Sequence, residues 1–240
     1  MAAARPHRRR VQPAAHRGDF YHRSGKRIFD IVGAIGLLVL LGIPMLIVAV
    51  LLLAVQGRPI FYRGRRATRF GQVFAQIKFR TMLRDDNDSG ATGAHKHWRI
   101  KPFGRFLRKY RIDELPQLFN ILAGQMSFVG PRPPLPEYVR RFPAEYAEVL
   151  EMRPGVTGLA TLIYHRHEDA IMVRCKSAAE TERAYFSRCL PAKLRIERVY
   201  LERASLWLDL WIMWRTVLVV AIPGSDRKRQ RLRPPLDGRC

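Results

Sequence analysis

The sequence predicts a mostly helical α+β protein, monotopic in a membrane. Three features predict it: an uncharged apolar run near the N-terminus, cations on both sides of that run, and a short stretch of strand-like alternation after it. The run extends from Ile31 to Val55. As a straight helix it would reach about 38 Å, enough to cross a hydrocarbon core of about 30 Å. Yet residues 1–27 carry Arg5, Arg8, Arg9, Arg10, Arg17, Arg23, Lys26 and Arg27 against Asp19 alone, and Arg58, Arg63, Arg65, Arg66, Arg69, Lys78 and Arg80 follow the run before any later acid. Both flanks therefore belong on the cytoplasmic face, which a single crossing does not allow. Pro44, with Gly42 two residues before it, removes a helical hydrogen bond near the middle of the run and marks a break there. Residues 26–56 are expected to form a re-entrant helix-break-helix whose legs, about 20 Å each, enter one leaflet and return. An ordinary kinked span is the competing reading, since proline is tolerated in spanning helices. A cleaved signal peptide fits poorly, because QGRPIFYRGRR follows the run where small residues would be needed.

The remaining elements follow in order. Residues 1–25, rich in Arg, Ala, Pro and His, read as a disordered basic tail suited to anionic headgroups. PIFYR (59–63) and QVFAQIKFR (72–80) alternate apolar and polar residues around a glycine-bearing loop and predict a small β-hairpin. Residues 84–97 are polar with glycines, a mobile loop in which His95 and His97 are read as solvated rather than metal-bound. From Lys101 to Ala123 apolar residues recur at helical spacing, and Gly124 is a natural stop. A turn-rich SFVGPRPPLPEY comes next, then a helix over about 136–151, a second turn-rich stretch RPGVTGLA, and a helix over about 177–203. Residues 205–224 carry Trp207, Trp211 and Trp214 with only Asp209 and Arg215 charged. That composition predicts an amphipathic helix lying in the membrane interface, with a buried core helix as the alternative. The expected organisation is a tail (1–25), a membrane hairpin (26–56), one domain over 57–223 and a basic C-terminal tail (224–240).

Charge narrows the partners. With 43 basic and 20 acidic side chains the chain carries +23, which calls for an anion: nucleic acid, phospholipid headgroups or a phosphorylated small molecule. No helix-turn-helix or zinc finger is present, so specific nucleic-acid binding is not expected. Cys175, Cys189 and Cys240 form no CxxC pair, which argues against a disulfide framework or zinc knuckle and for a reducing compartment.

Against that cationic background KYRIDELPQLFN places Asp113 and Glu114 side by side among Arg105, Arg108, Lys109 and Arg111. Adjacent acids at a helix start are ordinarily explained by the helix dipole. Three other stretches change the odds: Lys78 and Arg80 in IKFRTM, Arg132 between prolines in VGPRP, and Arg153 before the Pro-Gly of MRPGVTG. A stiff backbone presents a guanidinium to phosphate at low ordering cost. A carboxylate attacking phosphorus needs such cations, and usually a divalent metal, to shield the repulsion. An aspartate can then act as nucleophile through an acyl-phosphate, with the neighbouring acid holding Mg²⁺.

Taken in sequence, KRIFD before a proline-broken apolar segment, KFRTM, IDELPQLFNIL, MSFVGPRP, RPGVTG and WLDLWIMWRTV resemble the monotopic phosphoglycosyl transferases, the bacterial sugar transferase family. The resemblance covers about Lys26 to Ile222, and its DELPQ and VGPRP blocks are specific in both wording and spacing.

The resemblance implies a membrane enzyme that moves a phospho-sugar from a UDP-sugar to undecaprenyl phosphate with release of UMP, on the cytoplasmic face of a bacterial inner membrane. It implies Asp113 as nucleophile, Glu114 as its partner with Mg²⁺, and Lys78, Arg108 and Arg132 at basic positions of the site. A re-entrant helix, interfacial helices and a small β-hairpin are implied too. Gly42, Ile43 and Pro44 replace the family's frequent Ser-Pro, and LATLIYHRHED replaces its Trp-Ala-Gln, so that Arg166 stands about where an arginine follows that motif. The resemblance is to the small members of the family that lack an N-terminal multi-span domain, and a homodimer is left open. The alternative is a non-catalytic membrane-surface scaffold that gathers anionic lipids.

Overall fold

The computed structural model describes residues 24–83, 99–175 and 177–222. The N-terminal tail up to residue 23, the C-terminal tail, the 84–97 loop with His95 and His97, and Cys240 fall outside these residues. Cys175 and Cys189 are both free thiols.

Helix α1, Lys26–Gln56, is followed by the hairpin β1 (Phe61–Ala67) and β2 (Val73–Phe79). The two strands pair antiparallel from Phe61↔Phe79 to Ala67↔Val73, as the alternation predicts. Then come α2 (Pro102–Lys109), a single 3₁₀ turn over Ile112–Glu114, α3 (Gln117–Leu122), β3 (Ser127–Val129), α4 (Pro136–Arg141) and α5 (Pro143–Val149). Strand β4 (Gly155–Thr157), α6 (Leu159–Met172), α7 (Ala178–Ala184), α8 (Leu190–Arg203) and α9 (Leu206–Ala221) complete the order. One hydrophobic core gathers Leu52 of α1, Phe79 of β2, Leu107 of α2, Ile121 of α3, Val129 of β3, Tyr200 of α8 and Ile212 of α9. The membrane helix is thus packed into the same body as the hairpin and the C-terminal helices.

Helix α1 stays helical through Gly42 and Pro44 and is not divided into two helices. Proline at an interior position removes one donor and bends the ladder without necessarily ending it. Val39, Leu40, Ile43 and Leu46, around that proline, are exposed apolar residues. Its N-terminal end is held by polar contacts: Arg27 donates to the carbonyls of Ile121 and Leu122 at 2.6 and 2.8 Å, and Lys26 pairs with the buried Asp209. Asp30, buried, accepts from Ser127 Oγ at 2.9 Å and Phe128 N at 3.1 Å.

Several expectations change in detail. The helical pattern over 101–123 is two helices, because Arg111 is left-handed (φ 53°) and Pro116 cannot donate to a continuing ladder. The helix expected over 136–151 is likewise split, at Phe142 and Pro143. The turn-rich SFVGPRP and RPGVTG are not independent loops, since β3 and β4 pair in parallel, Ser127 with Gly155 and Val129 with Thr157. Gly130 and Gly155 permit the approach, because a Cβ on Gly130 would meet Arg153 O and Gly155 N, and one on Gly155 would meet Gly130 N. Helix α9 buries one face, with Leu208, Asp209 and Ile212, and leaves Trp207 and Trp214 75% and 62% exposed on the other.

Candidate active site

The acids lie on the break between α2 and α3. The left-handed Arg111 turns the chain, Asp113 and Glu114 occupy the 3₁₀ turn, and Pro116 starts α3. Two buried amides fix this corner to β2. Asn120 accepts from Ile77 N at 2.9 Å and donates to Ala75 O at 2.8 Å, so its side chain satisfies the strand edge that β1 leaves unpaired. Gln76 donates to Gln117 at 3.1 Å one step away. That clamp sets Lys78, near the end of β2, beside the turn.

Lys78 Nζ is 2.6 Å from Glu114 Oε1, and Arg111 lies 3.7 Å from Glu114 Oε2. Among the described residues Asp113 has no ion pair. The two acids are electrostatically unequal. Burial alone would raise Glu114, but Lys78, Arg132 and Arg111 outweigh it and hold its carboxyl down at about 2. Asp113 is pushed up to about 6, first by burial and then by the charge of Glu114, with Lys78 and Arg108 opposing. Neighbouring carboxyls with separated protonation behaviour are suited to different roles. Here Glu114 is a fixed anion and Asp113 an unpaired one.

The six expected cations divide into groups. Lys78, Arg108 and Arg132 all act on the acid pair, Arg132 from the turn beyond β3. Arg80 instead donates to the carbonyls of Gln56 and Gly57 at 2.7 and 2.9 Å, closing the C-terminal end of α1. Arg153 donates to Gly124 O at 2.8 Å. Arg166 stands exposed on α6.

Three functional neighbours were missed. Arg111 contacts Glu114, a role hidden by its place in a run of surface-like cations. Arg66 on β1 is held low by burial, with Tyr62 opposing and the charge of Arg132 adding to the lowering. Gln117 is buried with Nε2 unpartnered, and its position directly after DELP was the available signal.

The family model described as "Bacterial sugar transferase" matches residues 21–223. The chain belongs to the bacterial sugar transferase family. It is accordingly an enzyme, a phosphoglycosyl transferase. Among relatives of this sugar transferase, the UDP-glucose:undecaprenyl-phosphate glucose-1-phosphate transferase of Caulobacter vibrioides is 37% identical over 200 residues, covering 80% of this chain and 68% of that protein. Uncharacterized sugar transferase EpsL of Bacillus subtilis is 33% identical over 197 residues, covering 82% and 87%. The UDP-N-acetylgalactosamine-undecaprenyl-phosphate N-acetylgalactosaminephosphotransferase of Aeromonas hydrophila is 32% identical over 199 residues, 81% of this chain but 43% of that longer protein.

Proposed function

We propose that this sugar transferase moves a sugar-1-phosphate from a UDP-sugar to undecaprenyl phosphate, through a covalent intermediate on Asp113. The observation that carries the reading is the division of labour in the acid pair: Glu114 is tied to Lys78 at 2.6 Å while Asp113, its neighbour, has no ion pair among the described residues. An Asp113 oxygen attacks the phosphorus attached to the sugar. The bond from that phosphorus to the bridging oxygen breaks, and UMP leaves with the electron pair. A phosphate oxygen of undecaprenyl phosphate then attacks the same phosphorus, and the Asp113 carboxylate departs to leave undecaprenyl diphosphate sugar. Two displacements on one face of the enzyme replace one between two anionic substrates.

The cations have separable tasks. Lys78 holds Glu114 and adds positive charge beside Asp113, while Arg108 and Arg132 lower the repulsion that an incoming diphosphate meets. Arg80 and Arg153, occupied by carbonyls, serve the scaffold.

A divalent cation fits the donor set. Glu114 Oε2 is buried without a hydrogen-bond partner beside Asp113, and among the described residues no cluster of three or more His, Cys, Asp or Glu side chains offers a complete cage. Two carboxylates completed by phosphate oxygens and water is the habit of Mg²⁺. Asp113 and Glu114 would hold it, and when bound it supplies charge neutralisation at the phosphates.

The membrane geometry we propose is re-entrant, at the cytoplasmic face of a bacterial inner membrane and in contact with anionic lipids. What supports it is that both ends of α1 are bonded to one body: Arg27 to Ile121 and Leu122 at one end, Arg80 to Gln56 and Gly57 at the other. A crossing helix would separate its ends by a bilayer. Cysteines placed at Ser24 and Arg65 should react alike with an impermeant reagent in intact cells; opposite reactivity would exclude the re-entrant path.

The enzymatic test is release of UMP from a panel of UDP-sugars by purified protein with Mg²⁺ and undecaprenyl phosphate, with Asp113→Asn inactive. Silence across the panel would overturn the reaction, and full activity in the Asn variant would overturn the role of Asp113. A lipid-gathering scaffold gives no reason for a buried, unequal pair of acids.

A further inference from the structure

Arg111 is the residue on which the acid turn pivots, and its backbone is strained. Its φ of 53° and ψ of 22° fall in the left-handed region, which glycine enters freely and a long side chain does not. Among the described residues only Phe70 shares a positive φ without being glycine. The conformation has a local purpose. Arg111 N donates to Arg108 O at 3.2 Å and Glu114 N donates to Arg111 O at 3.1 Å, which closes the turn that holds both acids. Glycine would close the same turn with less strain, so arginine here calls for a second reason.

The side chain supplies one. Arg108 and Lys109 are exposed, whereas Arg111 folds back over the turn with its side chain 27% accessible. Its Nη1 lies 3.7 Å from Glu114 Oε2, close enough for attraction and too far for a hydrogen bond. Both atoms are buried, and neither has a hydrogen-bond partner. The other oxygen of Glu114 is taken by Lys78 at 2.6 Å. Glu114 thus has one oxygen committed to a lysine and one faced by a guanidinium that does not bond it.

We propose that Arg111 is a substrate-binding residue that guards Glu114 Oε2: it shields that oxygen in the donor-free enzyme, and its guanidinium passes to the phosphate oxygens of the donor when a divalent cation takes the oxygen. The proposal rests on the reaction given above. Two positive groups repel strongly across one partly buried carboxylate oxygen, so Arg111 and a divalent cation compete for it. A diphosphate offers paired oxygens that the planar guanidinium bonds in bidentate fashion. Arginine at this position therefore weakens metal binding to the donor-free enzyme and strengthens binding of the donor. Those effects have opposite signs, which a simple loss of structure would not produce.

The test compares Arg111→Gly, which suits the left-handed turn, with Arg111→Lys, which keeps the charge. Mn²⁺ is the probe, its free concentration read by electron paramagnetic resonance with the full chain and no donor present. Arg111→Gly should bind Mn²⁺ at least about 3-fold more tightly than wild type. Its KM for the UDP-sugar should rise about 10-fold or more, with a smaller change in kcat. Arg111→Lys should keep Mn²⁺ affinity within about 2-fold of wild type, because the competing charge remains. Glu114→Gln, combined with Arg111→Gly, should erase the gain in Mn²⁺ affinity. Unchanged or weaker Mn²⁺ binding in the Gly variant, Mn²⁺ binding by neither protein, or an unchanged KM would each overturn the proposal. If wild-type protein releases UMP from no UDP-sugar, the reaction reading fails, and the Mn²⁺ comparison alone decides whether Arg111 guards Glu114. Should Arg111→Gly not fold, Arg111→Asn, which also tolerates the left-handed region, takes its place under the same criteria. Failure of both to fold would make the side chain structural and contradict the proposal.

Discussion

Lys78 Nζ lies 2.6 Å from Glu114 Oε1, with both side chains largely withdrawn from solvent, so the strand of the hairpin and the acid turn are joined by one partly buried ion pair. This contact separates the two neighbouring acids: Glu114 is ion-paired, and Asp113 has no ion pair among the described residues.

Replacing Lys78 by Met should therefore do more than remove a cation from the site. It leaves Glu114 buried without its nearest partner, a change that costs about 3–5 kcal/mol when a buried pair is broken on one side. Denaturant unfolding of Lys78→Met should show a loss of that order, and a double variant with Glu114→Gln should recover most of it. A Lys78→Met protein as stable as wild type would show that the pair does not hold the hairpin to the turn.

In metal-free protein the Asp113 carboxyl should titrate near 6, well above the ordinary 3.8, because burial and then Glu114 favour its neutral form. Glu114→Gln removes a raising charge and should move that titration down. Lys78→Met removes a lowering charge and should move it up. Carbon-13 NMR of labelled aspartate reads both shifts, and movement in the same direction in the two variants would refute the electrostatic account of the pair.

Glu197 gives the opposite sign of pH dependence from an ordinary salt-bridged acid. Its carboxyl is raised from 4.5 to about 8, so the folded chain keeps a proton that the unfolded chain has released. The stability associated with it is complete below about 4.5 and declines as pH rises towards about 8. Wild-type protein should lose stability relative to Glu197→Gln across that window, measured as the difference between their unfolding midpoints at each pH. A constant difference would contradict burial of the neutral acid.

The sequence made legible those features whose physics is local. Alternation gave the β1–β2 hairpin, three-to-four spacing gave the helical character of α2 and α3, and two acids amid arginines singled out Asp113 and Glu114. Features that depend on contacts across the chain were hidden. The apolar period of 101–123 runs through a turn that only the backbone of Arg111 discloses. Strands β3 and β4 are three residues each, too short for alternation to register, so two motifs that pair with one another looked like separate loops. Asn120 and Glu197 carry no marking signal in the sequence, yet both are buried, and Asn120 satisfies backbone groups of β2. Arg80 and Arg153 are indistinguishable by composition from the arginines around the acid pair; only the structure shows the backbone carbonyls they hold.

The central claim is that Asp113 becomes bonded to phosphorus. Protein competent in UMP release should be mixed with its UDP-sugar in the absence of undecaprenyl phosphate, acid-quenched on a millisecond-to-second scale, and analysed by intact and peptide mass. The account predicts a mass increase of one phospho-sugar, mapped to Asp113, absent from Asp113→Asn and discharged by adding the lipid phosphate. A fully active preparation that never carries this adduct, or carries it on another residue, would contradict the account.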